Sequence, residues 1–391
     1  MHAEISKKWF VACGAISIVC ISLCSCFGCD REPLFHGYEV QSVHVKNNAI
    51  TQLDNDCRDM KIETYLSLRD STFTLMCQRM KVEDGYYFLQ GSGKNQTIWV
   101  FDSVGNYVSK LGERGRKNNE YQTDVTDWFY LKDSNEVYVF ERNTRKIHVF
   151  SVDGSSKETI ILESWPDAIG ALKKNDLFCS YYHKQAKDGA QLALLSKDEE
   201  VKKIFINLQE NMKFQATDNS FFSSCGKLFH VPNFADSAIV FNRDSVEKIV
   251  RFSFEDKFIT EEIKKEIYDG KMENFFQFDG VQSINTYYET TRFHYLKYMF
   301  SGICINHLID KRTNNQYKFA NSLVKGILPS DVFCVKDNKL LYLVTKQTVE
   351  EYRHLLDDDT LAEKLSESDD VVRRIFNGEE PLPLILSVEI K

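Results

Sequence analysis

The sequence predicts an all-β fold, a six-bladed β-propeller whose last blade is closed by strands from the N- and C-terminal parts of the chain, with small helical insertions. Three observations lead there. Short apolar hairpins recur with a period near 45 residues, a sixth copy near the C-terminus lacks one strand, and an unpartnered strand stands ahead of the first copy. A period of about 40 to 45 residues is what a four-stranded blade requires.

Composition sets the outer bounds. With 391 residues, 43% of them hydrophobic, the chain can bury a substantial core. Its formal charge is −8, with acids and bases interspersed. Phosphate backbones demand a basic footprint, so no nucleic-acid partner is expected.

The first element is an export signal rather than part of the fold. Lys7 and Lys8 precede Trp9 to Cys24, a stretch without charge, which is the order of a charged n-region and an apolar h-region. Leu23-Cys24-Ser25-Cys26 then resembles the lipobox of bacterial lipoproteins. The reading is a signal peptide over 1–25, a lipid anchor on Cys26, a tether over 26–37 and a propeller over 38–391. Each buried alkyl CH₂ of such an anchor contributes about 0.8 kcal/mol to membrane attachment. Two alternatives stay open: acylation at Cys29 after Gly28, or an uncleaved anchor, since Trp9 to Cys29 is long enough to cross a bilayer.

The blades follow in order. IWVFDSVGNYVSKLG from Ile98 and IHVFSVDGSSKETIIL from Ile147 each read as strand, turn with Asp and Gly, and strand. Weaker copies begin at Leu192 and Ala238. With Val100-Phe101, Val149-Phe150, Leu194-Leu195 and Val240-Phe241 as register marks, the intervals are 49, 45 and 46 residues. A fifth hairpin starts at Gly302, delayed by a helical insertion at about 258–270 in which Thr260 caps the first turn. The sixth copy is split: two strands from Ser330, a helical excursion over about 347–377, and a third strand from Leu382. Ile62 to Arg69 supplies its fourth strand, and so removes an open edge. The excursion reads as two short helices, the second capped by Ser368 and stopped by Gly378.

Six cysteines lie beyond the leader, with no CxxC pair among them. Most read as small buried hydrophobes, with one Cys57 to Cys77 disulfide as the alternative. The nine histidines include no HxH or HExxH arrangement, and no Gly-x-Ser-x-Gly elbow or phosphate loop is present. Asp54-Asn55-Asp56 reads as a solvated turn and Asp357-Asp358-Asp359 as a helix N-terminus, because neither carries the glycine and later glutamate of a calcium loop. No metal and no cofactor is expected. The densest aromatic stretch runs from Phe275 to Phe300, where Tyr287, Tyr288, Tyr295 and Tyr298 offer rigid area with a polar tip. Tyr287 and Tyr288 are the candidate ligand-binding residues, though strand alternation buries about half of such a set.

The chain from Tyr38 onward resembles the six-bladed β-propeller lipoproteins of Bacteroides-type bacteria, a mostly uncharacterised family related in form to NHL-repeat propellers. The resembling pieces are IETYLSLRDS from Ile62, IWVFDSVGNYVSKLG from Ile98, GERGRKNNEY from Gly112 and LILSVEIK from Leu384. In the third, Gly112, Gly115, Glu120 and Tyr121 match the family's linker, while Lys117, Asn118 and Asn119 replace its Gly-Pro-Gly centre. The resemblance implies an exported, lipid-anchored propeller of the cell envelope; a monomer is expected. It implies no established activity, since a fold does not dictate a function. Two classes remain: a binding or scaffolding module that holds a glycan, peptide or envelope protein on a propeller face, which is favoured, and a metal-dependent lyase or lactonase with its metal in the channel.

Overall fold

A computed structural model describes residues 37–67, 77–91, 96–117, 120–181, 187–207, 221–320, 323–326 and 333–391. The expected leader, Cys26 and all of the tether except Gly37 lie outside those residues.

Two strands, β1 (Val40–Val45) and β2 (Arg58–Tyr65), precede the blades. Blade 1 is β3 (Cys77–Glu83), β4 (Tyr86–Gly91), β5 (Ile98–Phe101) and β6 (Tyr107–Leu111). Blade 2 is β7 (Asp127–Leu131), β8 (Glu136–Glu141), β9 (Lys146–Ser151) and β10 (Ser156–Ile161). Blade 3 is β11 (Ala168–Gly170), β12 (Asp176–Ser180), β13 (Ala190–Ser196) and β14 (Val201–Asn207). Blade 4 is β15 (Phe222–Ser224), β16 (Lys227–His230), β17 (Ser237–Asn242) and β18 (Ser245–Phe254). Helices α1 (Glu261–Tyr268) and α2 (Glu273–Gln277) separate it from blade 5, which is β19 (Val281–Glu289), β20 (Phe293–Phe300), β21 (Ile303–Asp310) and β22 (Gln316–Phe319). Blade 6 begins with β23 (Phe333–Lys336) and β24 (Lys339–Val344). Helices α3 (Lys346–Leu355), α4 (Asp358–Glu367) and α5 (Asp370–Asn377) follow, then β25 (Leu384–Ile390). The resulting six antiparallel sheets form a ring, and β2 completes blade 6 in the order β2-β25-β24-β23.

The hydrophobic pattern explains the layering. Middle strands are covered on both faces by neighbouring blades, so they read as continuous buried runs, as in β8, where every residue from Glu136 to Glu141 is buried. Outer strands face water on one side and alternate, as β10 does. Between β3 and β4, Asp84 and Gly85 both have positive φ, 48° and 82°, which a two-residue type I′ turn needs. The core lies between blades: Phe129, Tyr138 and Phe140 of blade 2 pack against Leu177 and Leu195 of blade 3.

The ring closes through β2 as the sequence predicts, with a shifted start. Strand β2 runs antiparallel to β25, from Arg58 opposite Ile390 to Tyr65 opposite Leu384, so the closing strand sits four residues earlier than Ile62 to Arg69. Its anchor is Arg58, buried, with Nε 3.1 Å from Asp369 Oδ2. Alternation along β25 serves two interfaces at once: Leu384, Leu386 and Val388 pack toward blade 5, while Ile385 packs toward blade 1.

Three features depart from the sequence reading. Strand β1 pairs in parallel with β18, Val40 opposite Ile249 to Val45 opposite Phe254, and gives blade 4 a fifth strand. The excursion holds three helices instead of two; the middle one starts where Asp357 accepts from Thr360 N at 2.8 Å, in keeping with the helix N-terminus read at Asp357-Asp358-Asp359. Ser368 ends α4 instead of capping α5: its hydroxyl donates to Lys364 O at 2.8 Å. Asp369 holds the N-cap position of α5 without a side-chain cap, its carboxylate engaged by Arg58. Thr260 does cap α1, accepting from Ile263 N at 3.4 Å, and Gly378 ends α5 at φ 78°. No helix among the described residues is long and apolar enough to cross a membrane.

The cysteines depart as well. All six described cysteines are free; Cys179 is buried, while Cys57, Cys225 and Cys304 are exposed. Cys57 and Cys225 stand in turns and Cys304 at the start of β21, outside the buried centre of a strand, while Cys77 and Cys334 on innermost strands are half-buried.

Candidate functional site

A cavity of about 1080 Å³ lies in the central channel, walled by inner strands of blades 1, 4, 5 and 6. Its chemistry begins in the alternation of β3. Successive side chains of a strand point to opposite faces, and Arg79, Lys81 and Glu83 of CQRMKVE all line the cavity.

Each of these three is held by a different neighbour. Arg79 Nη1 lies 3.0 Å from Asp127 Oδ1 on blade 2. Lys81 Nζ donates to the carbonyl of Trp128 at 2.8 Å and stands 4.5 Å from the centre of the Trp128 ring. Trp128 is fully buried, its indole N–H donating to Gln90 Oε1 at 2.8 Å, so the ring under the two cations is fixed. Glu83 accepts from the hydroxyl of Ser223 at 3.0 Å. Ser223 belongs to blade 4, which lies opposite blade 1 in a ring of six, so this bond crosses the channel. Phe222 beside it brings its ring 5.2 Å from the Arg79 guanidinium.

Burial drives the electrostatics. It lowers the Lys81 ammonium to about 7, with Arg79 pushing the same way and Asp127 and Glu83 opposing. It raises Glu83 above the ordinary carboxylate range, against the pull of Lys81. Burial also lifts the Cys334 thiol on the blade 6 wall to about 12.

The two candidate tyrosines separate. Tyr288 lines the cavity, its ring stacked on Phe222 at 5.9 Å and 21° and its hydroxyl accepting from Val335 N at 3.1 Å. Tyr287, adjacent on β19, points the other way and has no exposed surface. Its hydroxyl stands 2.8 Å from Glu289 Oε1 and 2.9 Å from His294 Nδ1, and its ring meets Phe252 edge-on at 5.0 Å. Tyr287 is therefore a core residue between blades 4 and 5, and Tyr288 alone of the pair lines the cavity. Of the other tyrosines in that stretch, Tyr295 lines the cavity and Tyr298 is buried. The signal that sequence reasoning passed over is Arg79-x-Lys81-x-Glu83, three charged residues at strand spacing on what becomes an innermost strand. Among the described residues, no group of three His, Cys, Asp or Glu side chains is arranged to hold a metal ion.

The linker quoted for the family resemblance has a packing reason. Gly112 has φ 63°, and a Cβ there would stand 2.5 Å from the Tyr121 ring. Tyr121 is fully buried, and its hydroxyl donates to the carbonyl of Leu111, so Gly and Tyr lock the passage from blade 1 to blade 2 together.

A family model described as "Domain of unknown function (DUF4934)" matches residues 66–374. The chain is similar to the crystal structure of a "putative exported protein" from Bacteroides fragilis, at 16% identity and a TM-score of 0.70, over 90% of this chain and 100% of that one. A member of the DUF4221 family from Bacteroides vulgatus matches at 11% identity and a TM-score of 0.46, over 86% of this chain and 99% of that one. No curated protein matches.

Proposed function

The chain belongs to the DUF4934 family, and we propose that it is an exported envelope lipoprotein, anchored through Cys26, that recognises a ligand in the central channel of its propeller. The observation that carries this reading is the cavity of about 1080 Å³, where the Phe222–Tyr288 stack stands beside Arg79, Lys81 and Glu83. Ligand sites are concave, with rigid aromatic area and a few convergent polar groups. Strands from four blades build this wall, so its geometry is set by the ring and not by one flexible loop.

The exported neighbour from Bacteroides fragilis supports the address, as does the Leu23-Cys24-Ser25-Cys26 spacing. The channel reading is tested by screening the soluble chain against glycans and peptides by calorimetry. Phe222→Ala and Tyr288→Ala are expected to weaken any true ligand at least tenfold. A ligand bound equally well by wild type and by both variants would place recognition elsewhere on the molecule.

A further inference from the structure

We infer that the channel ligand is anionic, and that its carboxylate or sulfate group sits on the blade 1 wall between Arg79 and Lys81. This inference rests on the channel reading and names its ligand class.

Three observations support it. The first is spacing: Arg79 and Lys81 share one face of β3, about 7 Å apart at strand rise, so two like charges meet in a place partly closed to water. The second is incomplete pairing. Asp127 engages Nη1 of Arg79, but Nη2 is buried and has no hydrogen-bond partner among the described residues. Lys81 finds a neutral carbonyl and an aromatic face, and no carboxylate forms an ion pair with it among the described residues. A buried donor without an acceptor is costly and calls for an explanation. The third is the balance of the rest of the wall. Lys297 of blade 5 and Lys336 of blade 6 also line the cavity without an ion pair among the described residues, while Asp167 is engaged by Arg142. Glu83 is bonded to Ser223 and biased by burial toward its neutral form. The remaining acids, Asp84 and Asp337, stand in the turns that end β3 and β23. In a protein of formal charge −8, five basic side chains (Arg79, Lys81, Arg142, Lys297 and Lys336) thus share the lining with four acidic ones (Glu83, Asp84, Asp167 and Asp337).

The ligand is larger than a bare ion, since the cavity is at the upper end of small-molecule sites. The Phe222–Tyr288 stack offers a flat apolar face beside the cations. A sugar ring bearing an acidic group fits both features, by stacking on the aromatics and by charge-assisted bonds to the guanidinium and ammonium.

Binding is then linked to a proton. The groups facing Lys81 are Arg79 and Glu83 on its own strand, Asp127 and the Trp128 carbonyl from blade 2, and the Phe222 ring from blade 4. An anion beside Lys81 favours its charged form. With the free ammonium at about 7, affinity falls about tenfold from pH 6 to pH 8, following the protonated fraction.

The test is isothermal titration of the soluble full-length fold with trigalacturonate, a sulfated galactotriose and neutral galactotriose, at constant ionic strength and at pH 6 and pH 8. At least one acidic probe is expected to bind and the neutral one to bind at least tenfold more weakly. Binding is expected to weaken at least tenfold in Arg79→Gln and in Lys81→Met, and the residual binding of the latter to show no pH dependence between pH 6 and pH 8. Lys81→Met keeps the length of the side chain, so it reports on charge even where Arg79→Gln unsettles Asp127. The two acidic probes separate a carboxylate from a sulfate ligand. Failure of both at pH 6, or acidic binding that survives both substitutions, overturns the inference. Neutral galactotriose binding as tightly as the acidic probes, with dependence on Tyr288 but not on Lys81, also overturns it and leaves the channel reading standing.

Discussion

Removing the N-terminal strands one at a time should separate decoration from closure. A chain starting after Lys46 loses only β1, whose buried side chains are Val43 and Val45. Burying a valine contributes about 1.5 to 3 kcal/mol, so the loss is roughly 3 to 6 kcal/mol as an upper bound. β18 then becomes an ordinary outer strand and the ring stays closed. A chain starting after Ser67 loses β2 as well. Leu66 leaves, half-buried Met60 and Ile62 leave, and β25 becomes an edge whose Leu384, Leu386, Val388 and Ile390 are at most 1% exposed in the intact fold. These seven apolar side chains at about 1.5 kcal/mol each amount to about 10 kcal/mol, the size of a whole domain's stability. Urea unfolding followed by tryptophan fluorescence and far-UV circular dichroism distinguishes the two. The first truncation should unfold in one transition at lower urea, the second should show no cooperative transition, and a peptide spanning residues 55–68 should restore one. A chain beginning after Ser67 that melts like the full-length protein would refute the closure argument.

Tyr287→Ala should cost about 3 to 5 kcal/mol, as other large-to-small core changes do, whereas Tyr288→Ala should cost far less and act on ligand binding; denaturant midpoints of the two variants decide this. Burial holds His294 and His307 at about 4 in the folded chain. The unfolded chain therefore binds protons first, so the stability they contribute is complete above the ordinary histidine range and is lost as pH falls toward 4; melting curves from pH 7 to 4 should show that decline, and His307→Gln should flatten it. Maleimide should label Cys225 and Cys304 in the native state and Cys179 only after unfolding, as peptide mass spectrometry can read. The native N-terminal peptide should carry acyl chains on Cys26; recovery of an intact Met1 peptide would sink that expectation.

What the sequence revealed of the fold came from elements with a strong local signature. The Val-Phe register marks are central-strand residues, buried on both faces, and so repeat with the period of the blade. Strand β2 was legible because it alternates and has no adjacent partner; it runs from Arg58 to Tyr65, starting four residues before Ile62, and the expected end at Arg69 lies outside the described residues. Strand β1 was missed because Val43 and Val45 are two apolar residues among polar ones, and its parallel pairing with β18 lies more than two hundred residues away. The helices α3 to α5 announced themselves by apolar spacing, but Ser368 and Asp369 are adjacent and equally good capping types. Tertiary pairing of Asp369 with Arg58 decided between their roles.

The site was less legible for a reason that belongs to the architecture. Arg79-x-Lys81-x-Glu83 is, on its own, the solvent face of any amphipathic strand, and Phe222 is one of 28 phenylalanines. Neither carries information about the other until the ring sets blade 1 opposite blade 4. Charge behaves the same way. The formal net charge of −8 sums the whole sequence and says nothing of how five bases and four acids are gathered on the lining of one channel. Alternation along Tyr287-Tyr288 makes the point at single-residue scale: two identical neighbours, one locked to Glu289 and His294 in the core, the other stacked on Phe222 in the cavity. In a propeller, which residues form a ligand site is decided by which strand is innermost, so the alternation of each first strand is where the search for such a site should begin.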